Sequence, residues 1–349
     1  MDDKKLFKIN FIYFVSLTSV ALVFFLGHLG FLQNEFLSSF LIQIMIMFSI
    51  PLLLHSIMLT KNPKKSLQEC GFKKISAKMV GISVLLGIVL YLINSFVASS
   101  SQAIIYLLGY ESLSSVQTVK ASYSLFFKEI VLSCILPGFC EEFLHRGIML
   151  FSNKKYANPR YCLIISSLLF GLTHMNINQF FYATILGLLM GNVAMISNSI
   201  YPTMIIHFSN NFISTYLSFG KALNFPVATL INTMLDFLYS NIFLFLIASV
   251  SVVVVMLMLY NLLCKSLFKE RLVTAMQNVI NDLKLSNLPI EEAQEKLNQI
   301  NSILKKSEIA DTVYTKNKQK PNFHACSFLI LSFVLGGLIT ISSFIWGIL

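Results

Sequence analysis

Four ionisable residues crowd into one apolar stretch, Pro137-Gly-Phe-Cys-Glu141-Glu142-Phe-Leu-His145-Arg146. On insertion scales each such group costs about 2.5–3.5 kcal/mol at the centre of a membrane helix, so each calls for a reason. Glu142 and Arg146 stand four apart with the acid first, the better order for an intrahelical ion pair. That pairing neutralises one acid and leaves Glu141, which shares a helix face with His145. Two later apolar stretches add His174, with Phe170 one turn before it, and His207, with Asn211 one turn after it. A carboxylate, two imidazoles and an amide suit two kinds of chemistry. One holds a divalent metal such as zinc on Glu141, His174 and His207, with an open position that activates water. The other is metal-free: a glutamate acts as general base on water, and His and Asn donors stabilise an oxyanion. Both end in hydrolysis of a peptide-like bond. The lone His28 and His55 read as helix-packing residues.

The elements that must position these groups are membrane helices. The chain has 349 residues, 56% hydrophobic and 12% charged, against about 25% charged in a soluble domain. The deficit lies in long apolar blocks, and a bilayer needs roughly 20 such residues per crossing. The fold class expected is all-α, a polytopic transmembrane bundle of eight to nine helices with a small cytoplasmic helical hairpin. The helices are expected at 11–31, 36–59, 79–99, 126–150, 162–175, 179–196, 200–219, 237–263 and 325–349. This divides the chain into a transmembrane catalytic bundle (1–263), a cytoplasmic insert and linker (264–322) and a C-terminal transmembrane helix (323–349). Six scattered cysteines without a CxxC pair read as small buried hydrophobes. The N-terminal apolar run is long and is followed by no small-residue cleavage site, so it reads as a retained anchor.

The net charge of +10 does not point to nucleic acid, because the cations sit in short segments between apolar blocks. Clusters precede the first helix (Lys4, Lys5, Lys8), follow the second (Lys61, Lys64, Lys65, Lys73, Lys74, Lys78), follow the fourth (Lys154, Lys155, Arg160) and follow the eighth (Lys265, Lys269, Arg271). Nine alternating crossings put all four on one side, the cytoplasm by the positive-inside rule, with the N-terminus there too. A bacterial plasma membrane is expected from the low Trp and abundant Lys, Ile and Asn. The insert carries Leu272, Met276, Val279, Ile280 and Leu283 at helical spacing, a break at Leu288-Pro289, and a second helix over 290–306. That second helix is acidic early and basic late, as the helix dipole favours. A solvated linker follows it, and the segment 264–322 is a candidate surface for a protein partner.

At about 1.5 Å per residue, Glu141 lies roughly 13 Å from the Leu150 end of its helix, His174 roughly 18 Å from Cys162 and His207 roughly 10 Å from Ile200. The three share one level to within about one and a half turns. They are expected to line one cavity open towards the cytoplasm.

The three motifs together resemble the CPBP family of intramembrane proteases, which includes the CAAX prenyl endopeptidase and the bacteriocin-processing and self-immunity proteins. That family's pattern is EExxxR, FxxxH and HxxxN or HxxxD on successive helices, matched here by Glu141-Glu142…Arg146, Phe170…His174 and His207…Asn211. The resemblance covers about residues 126–219. It implies that Glu141 activates water with His174, that His207 and Asn211 hold the oxyanion or complete a metal site, and that Glu142 and Arg146 support them. It leaves metalloprotease and glutamate-type mechanisms open. There is no HExxH motif for the zinc type of protease, no Asp well inside an apolar block and no convincing serine nucleophile motif. The expected function is an intramembrane endopeptidase acting on a membrane-associated protein or peptide in the bilayer, near the cytoplasmic face. A non-catalytic membrane scaffold or immunity protein, and an ion-coupled transporter using the same polar residues, are the alternatives.

Overall fold

A computed structural model of the chain describes residues 3–110, 121–239, 242–284, 289–306 and 322–348. Every regular element among them is helical, as expected. In chain order these are α1 (Asp3–His28), α2 (Glu35–Thr60), α3 (Pro63–Glu69), α4 (Ala77–Leu107), α5 (Tyr123–Lys155), α6 (Pro159–Thr173), α7 (Ile177–Ser197), α8 (Tyr201–Gly220), α9 (Pro226–Tyr239), α10 (Ile242–Lys284), α11 (Ile290–Lys306) and α12 (Phe323–Ile348). Seven of them, α1, α2, α4, α5, α7, α10 and α12, contain segments long and apolar enough to cross a membrane, which makes the chain a multi-pass integral membrane protein. α6 has only 15 residues, and the 20-residue α8 carries the polar His207-Phe-Ser-Asn-Asn211 run. α9 fills a segment expected to be loop; it folds back on α8 through the Asn232 side-chain amide, which donates to the Leu217 carbonyl at 3.0 Å.

Contacts between helix ends fix which ends lie together. At one end Lys8 Nζ donates to the Met58 carbonyl at 3.0 Å, Lys155 pairs with Glu69 at 2.9 Å, and Asn10 donates to the Ala325 carbonyl at 2.8 Å. Ser76 and Lys78 both meet Glu270, and Arg271 donates to the Ile196 carbonyl at 2.8 Å. These contacts gather all four basic clusters at that end. Burial, and then the nearby Arg271 and Lys155 cations, hold the Lys73 ammonium below its usual range. At the opposite end Tyr110 stacks on Phe344, Ile177 N–H donates to Ser343 at 2.9 Å, and Lys128 pairs with Glu35 at 2.8 Å. The alternation read from the lysines is therefore the alternation of the bundle.

Two helices depart from α geometry where the site lies. α2 is π-helical over Leu41–Ser49 and Ser56–Thr60, and α5 over Ile130–Ile135 and Phe143–Ser152. In each helix the first wide stretch ends just before a proline, Pro51 and Pro137. Proline lacks the N–H that would close the preceding turn and its ring crowds the carbonyl four residues back, and a widened turn relieves both. α6 and α7 pack at close range. A Cβ on Gly171 would stand 2.7 Å from the Phe180 carbonyl, the kind of approach that small residues permit between membrane helices.

α10 runs unbroken from the lysine-poor end, through the bundle, and out at the lysine-rich end. α11 packs back on it, with Ala293 buried and Ile300 against a core containing Phe268 and Leu272. The first arm of the expected hairpin is thus the continuation of a membrane helix rather than a separate element. The break at Leu288 and the linker after Lys306 lie outside the described residues.

Candidate active site

The two adjacent glutamates part company. Glu142 is fully buried, and its Oε1 accepts from Arg146 at 2.8 Å and from His207 Nδ1 at 2.9 Å. Arg146, 1% exposed, also donates to the Gly187 carbonyl at 3.3 Å and lies 4.4 Å from the centre of the Phe170 ring. The intrahelical pair expected from the spacing is present, and His207 of α8 completes it as a three-membered unit. A buried carboxylate is tolerable only when it is paired and hydrogen-bonded in this way.

Glu141 instead reaches a cavity of about 700 Å³. Gln43, from the π-helical stretch of α2, donates its amide to Glu141 Oε1 at 2.8 Å. His174 lines the same cavity, and its Nδ1 is 2.9 Å from the Phe170 carbonyl. An Nδ1–H donating to that carbonyl leaves Nε2 as the free ring nitrogen. His174 owes its place to the end of α6: it follows Thr173 directly, Met175 turns the chain at φ 52°, and the Asn176 side chain caps α7 by accepting from Asn178 N–H.

Phe170 joins the three motifs. Its ring lies edge-on to His145, His174 and His207 at centroid distances of 5.0, 5.2 and 5.8 Å, with Arg146 as a fourth neighbour. His145 turns away from the cavity. Its Nδ1 meets the Glu141 carbonyl at 2.8 Å, and its Nε2 lies 3.1 Å from Thr173 Oγ1 and 3.3 Å from the Tyr13 hydroxyl.

The cavity runs between α1, α2 and the α6–α7 turn, lined among others by Val20, Phe24, His28, Ser38, Gln43 and Gln179. Its outer residues, His28 and Ser38 at the ends of α1 and α2 and Leu32 in the connection between them, lie away from the lysine clusters. The expectation of a cavity opening on the lysine-rich side is therefore corrected. Depths counted along each helix put the groups on one level but did not show at which end the bundle closes. It closes at the lysine-rich end, where Gly71 sits on Phe151 and the Ile200 N–H donates to the Gly71 carbonyl at 3.0 Å.

Of the residues singled out in the sequence, Glu141 and His174 share the cavity, while His207 and Asn211 are not among its lining. Asn211 donates to the Ser133 carbonyl at 2.8 Å and accepts from Asn210 at 3.1 Å. Among the described residues, no three His, Cys, Asp or Glu side chains are grouped so as to hold a metal ion. Glu141, His174 and His207 as placed are not such a group. His55 is a packing residue, held between Ser66 and Ser152 at 2.9 and 3.0 Å. His28 is not: it is exposed on the wall of the cavity. Sequence reasoning missed Gln43, Tyr13 and Thr173, which are uncharged. Their signal was a polar side chain inside an otherwise apolar run, as in Leu41-Ile-Gln43-Ile-Met.

No curated protein and no solved structure matches this chain. A family model does: residues 123–213 match the one described as Rce1-like, type II CAAX prenyl endopeptidase Rce1-like. That segment holds Glu141, Glu142, Arg146, Phe170, His174, His207 and Asn211, and over it the chain is similar to the CAAX-protease family of membrane proteins.

Proposed function

We propose that the protein is an intramembrane endopeptidase that hydrolyses a peptide bond of a membrane-associated substrate with a water activated by Glu141 and His174. The observation that carries this reading is the division of labour between the glutamates: Glu142 is neutralised in the interior, while Glu141 faces a cavity it shares with His174. Gln43 holds Glu141 Oε1, leaving the other carboxylate oxygen for a water proton. The free Nε2 of His174 accepts the second hydrogen of that water and orients it. As the water oxygen attacks the scissile carbonyl, its proton passes to Glu141. It then goes to the departing amine, and the two peptide fragments leave. His207, Asn211, Glu142 and Arg146 act through their neighbours, as positioning residues: His207 and Arg146 fix Glu142, and Asn211 ties α8 to the π-helical turn of α5 at Ser133. No Lys or Arg is among the residues lining the cavity, so a free C-terminal carboxylate has no cationic partner there. That favours cleavage within a chain over trimming from its C-terminus.

The test is cleavage of a panel of membrane-anchored peptides, prenylated CAAX peptides and leader peptides among them, by purified wild type and Glu141→Gln, each with and without a zinc chelator. Cleavage by wild type that is abolished in Glu141→Gln and indifferent to chelator is the expected result. Cleavage lost on chelation would replace the metal-free step with a metal-dependent one. Equal cleavage by both proteins would remove Glu141 from the reaction.

A further inference from the structure

The four basic clusters lie at one end of the bundle and the mouth of the cavity lies at the other. Lys and Arg in short loops mark the cytoplasmic side of a membrane protein, at about 1 kcal/mol of attraction per cation to an anionic leaflet. Here the bias is not a matter of counting loops, because contacts bring the clusters to one face: Lys155 with Glu69, Lys78 with Glu270, Arg271 with the end of α7. On that side the bundle is packed shut, with Gly71 against Phe151 and Ile200, and none of these three lines the cavity. On the other side its wall rises through Gln43 and Ser39 to Ser38 and His28, at the ends of α2 and α1.

We propose that the active site is served from the non-cytoplasmic side, and that its substrate is a membrane-anchored peptide whose scissile segment lies in the outer half of the bilayer or just beyond it. This rests on the peptidase reading above and narrows its substrate. A peptide bond on the cytoplasmic tail of a protein anchored to the inner leaflet cannot reach Glu141 by this route. A segment carried across the membrane, or emerging from a transmembrane anchor on the far side, can. The lining suits such a segment. Apart from Glu141 it bears no acidic or basic group but histidine; Val20, Phe24 and Ile42 give it apolar surface, and Ser38, Ser39 and Gln179 can pair with exposed peptide groups.

Two measurements in a bacterial host decide it. In the first, Ser38→Cys, at the mouth, and Lys64→Cys, on exposed α3, are treated separately in intact cells with a membrane-impermeant maleimide, with the wild type as baseline for the native cysteines. Ser38→Cys is expected to gain label in intact cells, and Lys64→Cys only after permeabilisation. The reverse pattern would overturn the proposal. In the second, whichever panel peptide is cleaved in detergent is tethered to a transmembrane anchor, facing outward in one version and inward in the other, and co-expressed with wild type or Glu141→Gln. Glu141-dependent cutting of the outward version alone is expected. Cutting of the inward version would sink the access route while leaving the peptidase intact. If no panel peptide is cleaved at all, the peptidase reading is what fails, and the labelling still decides on which side the cavity opens.

Discussion

Arg146→Met removes the cation from a site where Glu142 is fully buried. The side chain keeps its bulk and loses its charge, so what changes is electrostatic. Glu142 keeps the His207 Nδ1 donor at 2.9 Å, and the Gly187 carbonyl loses the guanidinium donor. Breaking a buried ion pair from one side costs about 3–5 kcal/mol, because the remaining charge is left uncompensated. At about 2 °C per kcal/mol for a large chain, the lower figure lowers the melting temperature by roughly 6 °C. The partner substitution Glu142→Gln is milder, since an amide oxygen still accepts from His207 and the arginine keeps the Phe170 face and the Gly187 carbonyl. The double variant Glu142→Gln/Arg146→Met leaves no buried charge in the pair. It is expected to be more stable than Arg146→Met alone, with a coupling of about 2–3 kcal/mol, near the top of the range for directly bonded residues. Thermal unfolding of the four proteins in one detergent, followed by loss of the monodisperse peak on size exclusion, measures the cycle. Additivity to within about 0.5 kcal/mol would refute the claim that these residues are a neutralised structural unit, and the assignment of the catalytic role to Glu141 would lose its main support.

Gln43→Leu removes the amide that holds Glu141 Oε1. A hydrogen bond to a charged group contributes about 1.5–3 kcal/mol, so if it is needed during reaction kcat falls roughly 10- to 150-fold with little change in melting temperature; an unchanged kcat would make Gln43 a bystander. Gly171→Val forces side-chain atoms onto the Phe180 carbonyl and separates α6 from α7. Overpacking of this kind costs about 1–3 kcal/mol, and both the melting temperature and Glu141-dependent cleavage are expected to fall. A fully active, fully stable Gly171→Val would show that the two helices have room to part.

Much of this was legible in the residues, and the reasons it was legible are physical. The Glu142–Arg146 pair follows from helical spacing and from the cost of an unpaired charge in an apolar helix. The alternation of the helices follows from where the lysines lie, and end-to-end contacts such as Lys155–Glu69 reproduce it. What spacing does not carry is the closure of the bundle. Whether a cavity opens towards one end or the other depends on which side chains fill the space, here Phe151 and Ile200 against Gly71. The wide turns of α2 and α5 were signalled by Pro51 and Pro137 inside apolar runs, but a proline marks only that a turn must change, not that it widens. Gln43 went unread because an amide carries no charge to draw attention, although within a membrane it needs a partner as a carboxylate does. α9 went unread because Pro226–Tyr239 is too short to cross a bilayer, and the length rule says nothing of helices that merely lean on one.

The 43 residues of α10 span about 65 Å, roughly twice the hydrocarbon thickness of a bilayer. The part beyond the membrane is therefore a stiff mast rather than a domain on a tether: its backbone hydrogen bonds continue those inside the bundle, and no joint separates the two. Inside, the Tyr260 hydroxyl accepts from Asn192 at 2.8 Å and donates to the Leu189 carbonyl at 2.9 Å, both on α7, two turns or less from the Gly187 carbonyl that Arg146 holds. Outside, α11 lies along the mast. A force applied at α11 has no hinge in which to dissipate before it reaches α7, so the two sides of the membrane are joined mechanically by one continuous rod.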